Sequence, residues 1–204
     1  MRKKTFSKET RAIIWVVCFI ALFLVVVYSV KYIYPAENTN KYKYNHFDFE
    51  YYDGTWYTMI QLNGQPWKVP LRYGPKDVEH IMVIGDPNIF LKLKANYITF
   101  DPESKDMNYT ALAASELSLN LAQALNITPL GACTKNTTES CYDRTIINCE
   151  TDKTHAIIYL TQNATFPSVE QKDNCLIIKG KGFDLVKAVD RLLLYWYKIM
   201  PQST

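Results

Sequence analysis

The most regular pattern in the chain is an uninterrupted apolar segment near its beginning. Residues 12–30 (AIIWVVCFIALFLVVVYSV) contain no charged residue, no proline and no glycine. A helix of this length, at about 1.5 Å per residue, spans the roughly 30 Å hydrocarbon core of a bilayer. A segment in lipid must also satisfy its backbone hydrogen bonds internally, which favours a helix. We therefore expect a transmembrane helix over residues 12–30.

Basic residues on one side of this segment predict its orientation. Five of them precede it: Arg2, Lys3, Lys4, Lys8 and Arg11. The positive-inside rule then makes residues 1–11 a cytoplasmic basic tail and places the C-terminal part outside the cytoplasm. A cleaved signal peptide is the alternative, although its apolar region is shorter and ends at small residues. The sequence thus predicts a single-pass protein held in the lipid bilayer by a signal anchor.

Alternation of aromatic and polar residues begins after a polar stretch, 31–45, which we expect to be a linker. Residues 46–52 (HFDFEYY) have the period of a half-buried strand. The Asp53-Gly54 pair has the composition of a hairpin turn, and residues 55–62 form the returning strand. A third strand, 66–73, contains two prolines and is expected at a sheet edge. This pattern predicts an antiparallel meander.

The rest of the chain mixes short strands with two longer helices. Strands are expected at 81–84, 97–100, 155–160 and 175–180, and helices at 109–126 and 183–200. The apolar surface of 183–200 is broad, which fits burial against a sheet or contact with another protein or the membrane. We predict one extracytoplasmic domain over 46–204 with an α+β fold. Its mixed sheet starts with the meander and is covered by the two main helices.

Cysteines indicate an oxidising compartment. Cys18 lies inside the apolar segment, where it is expected to act only as a small apolar residue. Four cysteines remain: Cys133, Cys141, Cys149 and Cys175. An even number beyond a membrane anchor predicts two disulfides. We favour Cys133–Cys141 and Cys149–Cys175, because the first closes a short polar loop and the second ties two strand-like segments together. Zinc is the rival interpretation, but structural zinc ligands usually occur as closely spaced pairs.

Four N-x-S/T sequences are candidate N-glycosylation sites: Asn108, Asn126, Asn136 and Asn163. Such a sequence permits modification without requiring it. Asn136, inside the loop between two cysteines, is the best candidate of the four.

Charge and motifs exclude several classes of function. The net charge is +3, but the chain beyond the basic tail carries 18 basic and 19 acidic residues. A nucleic acid partner is therefore not expected, because phosphate binding needs clustered cations. Phosphate-binding loops and nucleophile elbows are absent from the sequence. The three histidines lie far apart, so we predict no catalytic residue, no cofactor and no metal site.

Aromatic residues supply the remaining candidate chemistry. Flat rings with polar groups can stack on sugars, and the candidates are Trp56, Tyr57, Trp67 and Tyr73. The alternative is that these rings only reflect the preference of strands for aromatic residues.

The chain from about Phe47 to Met200 resembles a group of uncharacterised archaeal membrane-anchored proteins. The resemblance lies in VPLRYGPKDVE, YITFDP, ALAASELSLNLAQAL, RTIINC and NCLIIKGKGFDLVKAVDRLLLYWYKIM. It implies an archaeal cell surface with an extracytoplasmic α+β domain, and it carries over no functional residue.

These observations favour a membrane-tethered binding or assembly module of the cell envelope, with a protein or glycan partner. A surface hydrolase acting on glycans or peptides, and a sugar-binding module, are the alternatives. The hydrolase requires a cleft with clustered titratable groups. The sugar-binding module predicts an exposed row of at least two of the four candidate rings, and burial of all four would rule it out.

Overall fold

The chain divides into two compact units, Met1–Thr39 and Asn40–Thr204. The structure is a computed structural model, and it describes residues 8–33, 40–62, 64–92 and 96–201.

The first unit contains one helix, α1 (Lys8–Ile33), which includes the whole apolar segment 12–30. Its described side chains from Ile13 to Val26 are exposed. Among the described residues, no helix is both long enough and apolar enough to cross a membrane. The structure therefore confirms a helix at the predicted position but does not confirm it as a membrane span. Residues 1–7 and 34–39, in the predicted tail and linker, lie outside the described residues.

The second unit opens with an antiparallel sheet whose strand order is β1-β2-β3-β4. The four strands are β1 (Asn40–Tyr44), β2 (Phe47–Tyr52), β3 (Thr55–Leu62) and β4 (Gln65–Leu71). The predicted meander is confirmed. The turn between β2 and β3 uses Asp53 and Gly54, both at positive φ, as a tight hairpin turn requires.

Strand β1 lies within the range 31–45 that the sequence analysis assigned to a linker. Lysines alternate with Tyr42 and Tyr44 in this stretch, so its tyrosines face one side of the sheet. The ring of Tyr42 stacks on that of Phe49 with centroids 5.4 Å apart. The compact unit therefore begins at Asn40 and not at His46.

A second, seven-stranded mixed sheet has the order β5-β10-β11-β9-β6-β7-β8. Its strands are β5 (Met82–Ile84), β6 (Asn96–Phe100), β7 (Leu130–Cys133), β8 (Thr145–Ile146), β9 (Ala156–Thr161), β10 (Ser168–Lys172) and β11 (Cys175–Lys179). The α+β class is confirmed. The meander, however, forms a sheet of its own, so the expectation of one mixed sheet that starts with it is wrong.

Four helices complete the unit: α2 (Pro75–Val78), α3 (Ile89–Lys92), α4 (Met107–Ala124) and α5 (Phe183–Trp196). Helices α4 and α5 pack on each other, and their buried residues join one core with residues of both sheets, such as Phe49 and Ile158. Helix α5 is buried nearly all round, so the interpretation of its broad apolar surface as a core surface is confirmed.

Helix α5 ends earlier than the predicted 183–200. Lys198 has φ +61°, which is left-handed, and the N–H groups of Ile199 and Met200 return to the Leu194 carbonyl. This arrangement ends the helix and satisfies its last carbonyl groups.

Two disulfides tie strands β7 and β11 of the mixed sheet to neighbouring segments of the chain. They link Cys133 to Cys141 and Cys149 to Cys175, with Cα–Cα distances of 6.0 and 5.5 Å, and this is the pairing favoured from the sequence. A small second core lies there, including Ile147. Disulfides are typical of secreted or extracytoplasmic domains, so this domain has the chemistry expected outside the cytoplasm.

Candidate functional site

The four candidate stacking rings do not form a single row. Trp56 and Tyr57 are adjacent in β3, so their side chains point to opposite faces of the sheet. Trp67, on β4, is 44% exposed, and it lines none of the cavities that we describe below. Tyr57 lies on the outer face, where Lys68 Nζ is 4.7 Å from the centre of its ring.

The structure does bring Trp56 and Tyr73 together. Both line one cavity of about 310 Å³, which we call the aromatic cavity, together with Asn40, Tyr51, Arg72 and Asp77. The rings of Tyr51 and Trp56 have centroids 5.0 Å apart. Three half-buried aromatic side chains thus share a cavity with a cation, a carboxylate and an amide.

Local sequence explains how the cavity forms at the end of β4. Gly74 is the N-cap of α2, and Pro75 occupies the first position of that helix, where a missing N–H costs little. A Cβ on Gly74 would overlap the Tyr42 hydroxyl, so glycine is required there. Asp77 Oδ2 accepts a hydrogen bond from the Gly74 N–H at 3.0 Å, which fixes the turn that carries Tyr73.

A second cavity of about 190 Å³ lies beside the first and shares Arg72 with it. We call it the acid cavity; its polar lining comes from Thr55, Arg72, Glu116, Asn120 and Asp190. Glu116 and Asn120 are four residues apart on α4 and therefore lie on one face of that helix. Asp190 enters from α5 and Arg72 from the end of β4.

Hydrogen bonds hold one oxygen of each carboxyl group in the acid cavity. Arg72 Nε donates to Glu116 Oε1 at 2.5 Å, and the Tyr73 N–H donates to Asp190 Oδ2 at 2.7 Å. Asn120 donates to the Glu116 carbonyl and accepts a hydrogen bond from the Tyr197 hydroxyl at 2.7 Å.

The other oxygen of each carboxyl group, Glu116 Oε2 and Asp190 Oδ1, is buried without a hydrogen-bond partner among the described residues. An unpaired buried acceptor costs about 1–3 kcal/mol. Asp190 is only 1% exposed. Burial raises its pKa well above the ordinary range, and the Glu116 charge raises this pKa further. Burial also raises the pKa of Glu116, against the opposing effect of Arg72.

Two carboxyl groups with raised pKa values beside an arginine were not predicted from the sequence. One signal was available, because Asp190 and Arg191 interrupt the otherwise apolar run Val189–Trp196. A charged residue inside a buried helix needs a partner. Nothing comparable marks Glu116, which takes its partner Arg72 from a distant strand.

A third cavity, of about 660 Å³, lies on the outer face of the antiparallel sheet. Asp48, Glu50, Tyr57, Met59 and Lys68 line it among others. Glu50 pairs with Lys41 at 2.5 Å. Alternating residues of a sheet with one solvated face give this mixed polar surface. Among the described residues, none of the buried polar atoms that lack a hydrogen-bond partner belongs to the lining of this cavity.

The remaining candidate residues lie outside these cavities. All four glycosylation candidates are exposed: Asn108, Asn126, Asn136 and Asn163. His155 contacts Asp152 at 2.7 Å, and hydrogen bonds from His155 hold the pKa of Asp152 well below its ordinary range. In the described part of the chain, no group of three or more His, Cys, Asp or Glu side chains is placed to hold a metal ion.

No protein-family model, curated protein or solved structure matches this chain. The resemblance to archaeal membrane-anchored proteins therefore stays a prediction.

Proposed function

We propose that this protein is a membrane-tethered, extracytoplasmic module that binds glycans of the cell envelope. The observation that carries this proposal is the aromatic cavity, where Trp56 and Tyr73 lie with Arg72 and Asp77. Aromatic faces stack on the apolar faces of sugar rings, and the charged groups form hydrogen bonds with sugar hydroxyls. Two of the four rings named as sugar-binding candidates meet at this place.

The tether is supported by the sequence of α1 and by its exposed side chains. Large apolar residues from Ile13 to Val26 are each 47% exposed or more. Burying apolar surface is worth about 25 cal/mol per Å², so a helix with this surface gains by entering lipid. The five preceding cations favour a cytoplasmic N-terminus. The two disulfides and four exposed glycosylation sequences fit an extracytoplasmic domain.

The tether is tested by extracting membranes with alkaline carbonate. The full-length protein should remain in the membrane pellet, and a variant carrying Leu22→Arg and Phe23→Arg should move to the supernatant, because charge in the bilayer centre is costly. Protease added to the outside should then degrade the domain of the unmodified protein. Release of the unmodified protein by carbonate would refute the anchor.

Glycan binding is tested with the full-length protein in detergent micelles. The probes are fluorescent mannobiose, chitobiose, cellobiose and galactobiose, with their monosaccharides. We expect at least one probe to bind, and Tyr73→Ala to weaken this binding about two- to tenfold, because a lost ring contact is worth about 0.5–1.5 kcal/mol. Tyr142→Ala is the matched control, since Tyr142 is 62% exposed and lines neither cavity at Arg72.

The proposal fails if no probe binds the unmodified protein. It also fails if Tyr73→Ala and Tyr142→Ala weaken binding equally. Circular dichroism of each variant shows whether the fold is retained.

A surface glycoside hydrolase is the second candidate, and the carboxyl pair Glu116 and Asp190 favours it. Such enzymes use two carboxyl groups, one of which has a raised pKa and acts as the acid. Incubating the bound probe with the unmodified protein tests this function. Release of reducing ends that disappears in Glu116→Gln would support hydrolysis, and intact probe after prolonged incubation would exclude it for that glycan.

A further inference from the structure

Two unpaired carboxyl oxygens in the acid cavity point to a ligand. Glu116 Oε2 and Asp190 Oδ1 are buried and have no hydrogen-bond partner in the described part of the chain. Both residues line the same cavity of about 190 Å³. Its volume corresponds to about six water molecules of liquid. The cavity therefore has room for a polar group larger than one water molecule.

The chemistry of this group follows from the charges around it. The free oxygen of Glu116 is an acceptor, whereas the free oxygen of Asp190 carries the proton that this buried group keeps, so the ligand must both donate and accept hydrogen bonds. A metal ion is a poor fit, because Arg72 already places a positive charge on Glu116, and among the described residues no cluster of three or more metal ligands exists. Neutral hydroxyl groups, which donate and accept hydrogen bonds, satisfy both free oxygens without bringing a second cation beside Arg72.

The neighbouring cavity indicates where these hydroxyl groups come from. Arg72 lines both cavities. The ring of Tyr73 lies in the aromatic cavity, while the N–H of the same residue donates to Asp190. The two cavities are therefore adjacent, which is the arrangement that an extended ligand in contact with both the aromatic rings and the carboxyl pair requires.

We propose that the acid cavity is a second subsite that binds the hydroxyl groups of a neighbouring sugar ring in the same glycan. The aromatic cavity takes one ring by stacking, and Glu116 and Asp190 form hydrogen bonds with hydroxyl groups of the next ring. This inference rests on the proposed function and specifies its ligand as a glycan of at least two rings. Arg72, between the two subsites, positions Glu116.

The test compares a disaccharide with its monosaccharide, using the full-length protein and the best probe of the panel above. Glu116→Gln keeps the shape of the side chain but replaces one acceptor oxygen by an NH₂ group. We expect it to weaken disaccharide binding about tenfold, the loss of a charge-assisted hydrogen bond. Monosaccharide binding in the aromatic cavity should change less than about twofold, within the scatter of context-dependent effects.

Asp190→Ala is the second variant; it removes the carboxyl group and should give the same selective loss. Glu103→Gln is the control, because it removes the same charge at an exposed residue that pairs with Lys135. Thermal unfolding of each variant identifies any that does not fold. If one of the two cavity variants is unfolded, the other decides.

Each outcome distinguishes the two proposals. If Tyr73→Ala weakens binding and neither cavity variant does, the acid cavity holds only water and this inference is overturned, while glycan binding stands. If Glu116→Gln weakens both probes equally, the subsite is also overturned. If the disaccharide is cleaved and cleavage needs Glu116, the carboxyl pair is catalytic and is not a hydroxyl subsite. If no probe binds the unmodified protein, the proposed function fails and the inference falls with it.

Discussion

Replacing Asp190 by asparagine should change how the stability of the domain depends on pH. Below pH about 4 this carboxyl group is protonated in both the folded and the unfolded chain. As pH rises above the ordinary pKa of 3.8, the unfolded chain releases the proton while the folded chain keeps it, because burial raises the folded pKa. The free energy of unfolding therefore falls with rising pH until the folded carboxyl group also ionises.

The size of this effect follows from proton linkage. One group that is protonated only in the folded state lowers the free energy of unfolding by about 1.4 kcal/mol per pH unit. Asparagine keeps an oxygen that can accept the Tyr73 N–H but cannot titrate. The difference in stability between the unmodified protein and Asp190→Asn should therefore change by about 1.4 kcal/mol per pH unit above pH about 4. In the Asp190→Asn variant, the free energy of unfolding should still fall with rising pH, but with a smaller slope, because the pKa of Glu116 is also raised.

Urea unfolding at pH 4, 5, 6 and 7 measures this difference. Asp184→Asn is the control, because Asp184 is on the same helix but its side chain is 44% exposed. Its pH dependence should match that of the unmodified protein. If the free energy of unfolding changed equally with pH in Asp190→Asn and in the unmodified protein, Asp190 would not be a buried carboxyl group that keeps its proton.

The remaining predictions concern the disulfides, the core, one turn and the glycosylation sequences. Replacing Cys149 and Cys175 together by serine should lower the free energy of unfolding by about 3.5 kcal/mol in urea, from the entropy of the 26-residue loop. Leu117→Ala should cost about 2–5 kcal/mol in the same assay, because Leu117 is fully buried. Gly85→Ala should cost at least about 1–2 kcal/mol, since Gly85 has φ +86° and an added Cβ would lie 2.7 Å from Gln171 Cβ; an unchanged urea midpoint would contradict this. In a host that glycosylates secreted proteins, Asn136→Gln should remove one glycan from the mass of the protein, and an unchanged mass would show that this site is not used.

Local periodicity predicted the elements of this fold better than their arrangement. The strand 46–52 and the helices near 109–126 and 183–200 were found because their apolar residues repeat with the period of the element. Strand β10 (SVEQK) was missed because it has almost no apolar residues, although it pairs with β5 and β11 in the mixed sheet. Its position is fixed by its neighbours and not by its own sequence.

Separation of the two sheets could not be read from the sequence either. Both sheets present apolar residues to the same helices, and Val69 of one and Val169 of the other belong to one core. Local patterns specify which face of a strand is buried but not which strand lies beside it. The acid cavity was missed for the same reason, because Arg72, Glu116 and Asp190 come from three distant parts of the chain.

The order of strands in the mixed sheet also determines when the domain can fold during synthesis. Strands β5 and β6 are made early, yet three later strands, β9, β10 and β11, separate them in the sheet. Helix α5, whose side chains belong to the same core as residues of both sheets, is made after all of these strands. The core of the domain therefore stays incomplete until Trp196 has been synthesised. A chain truncated before Phe183 should be degraded instead of secreted.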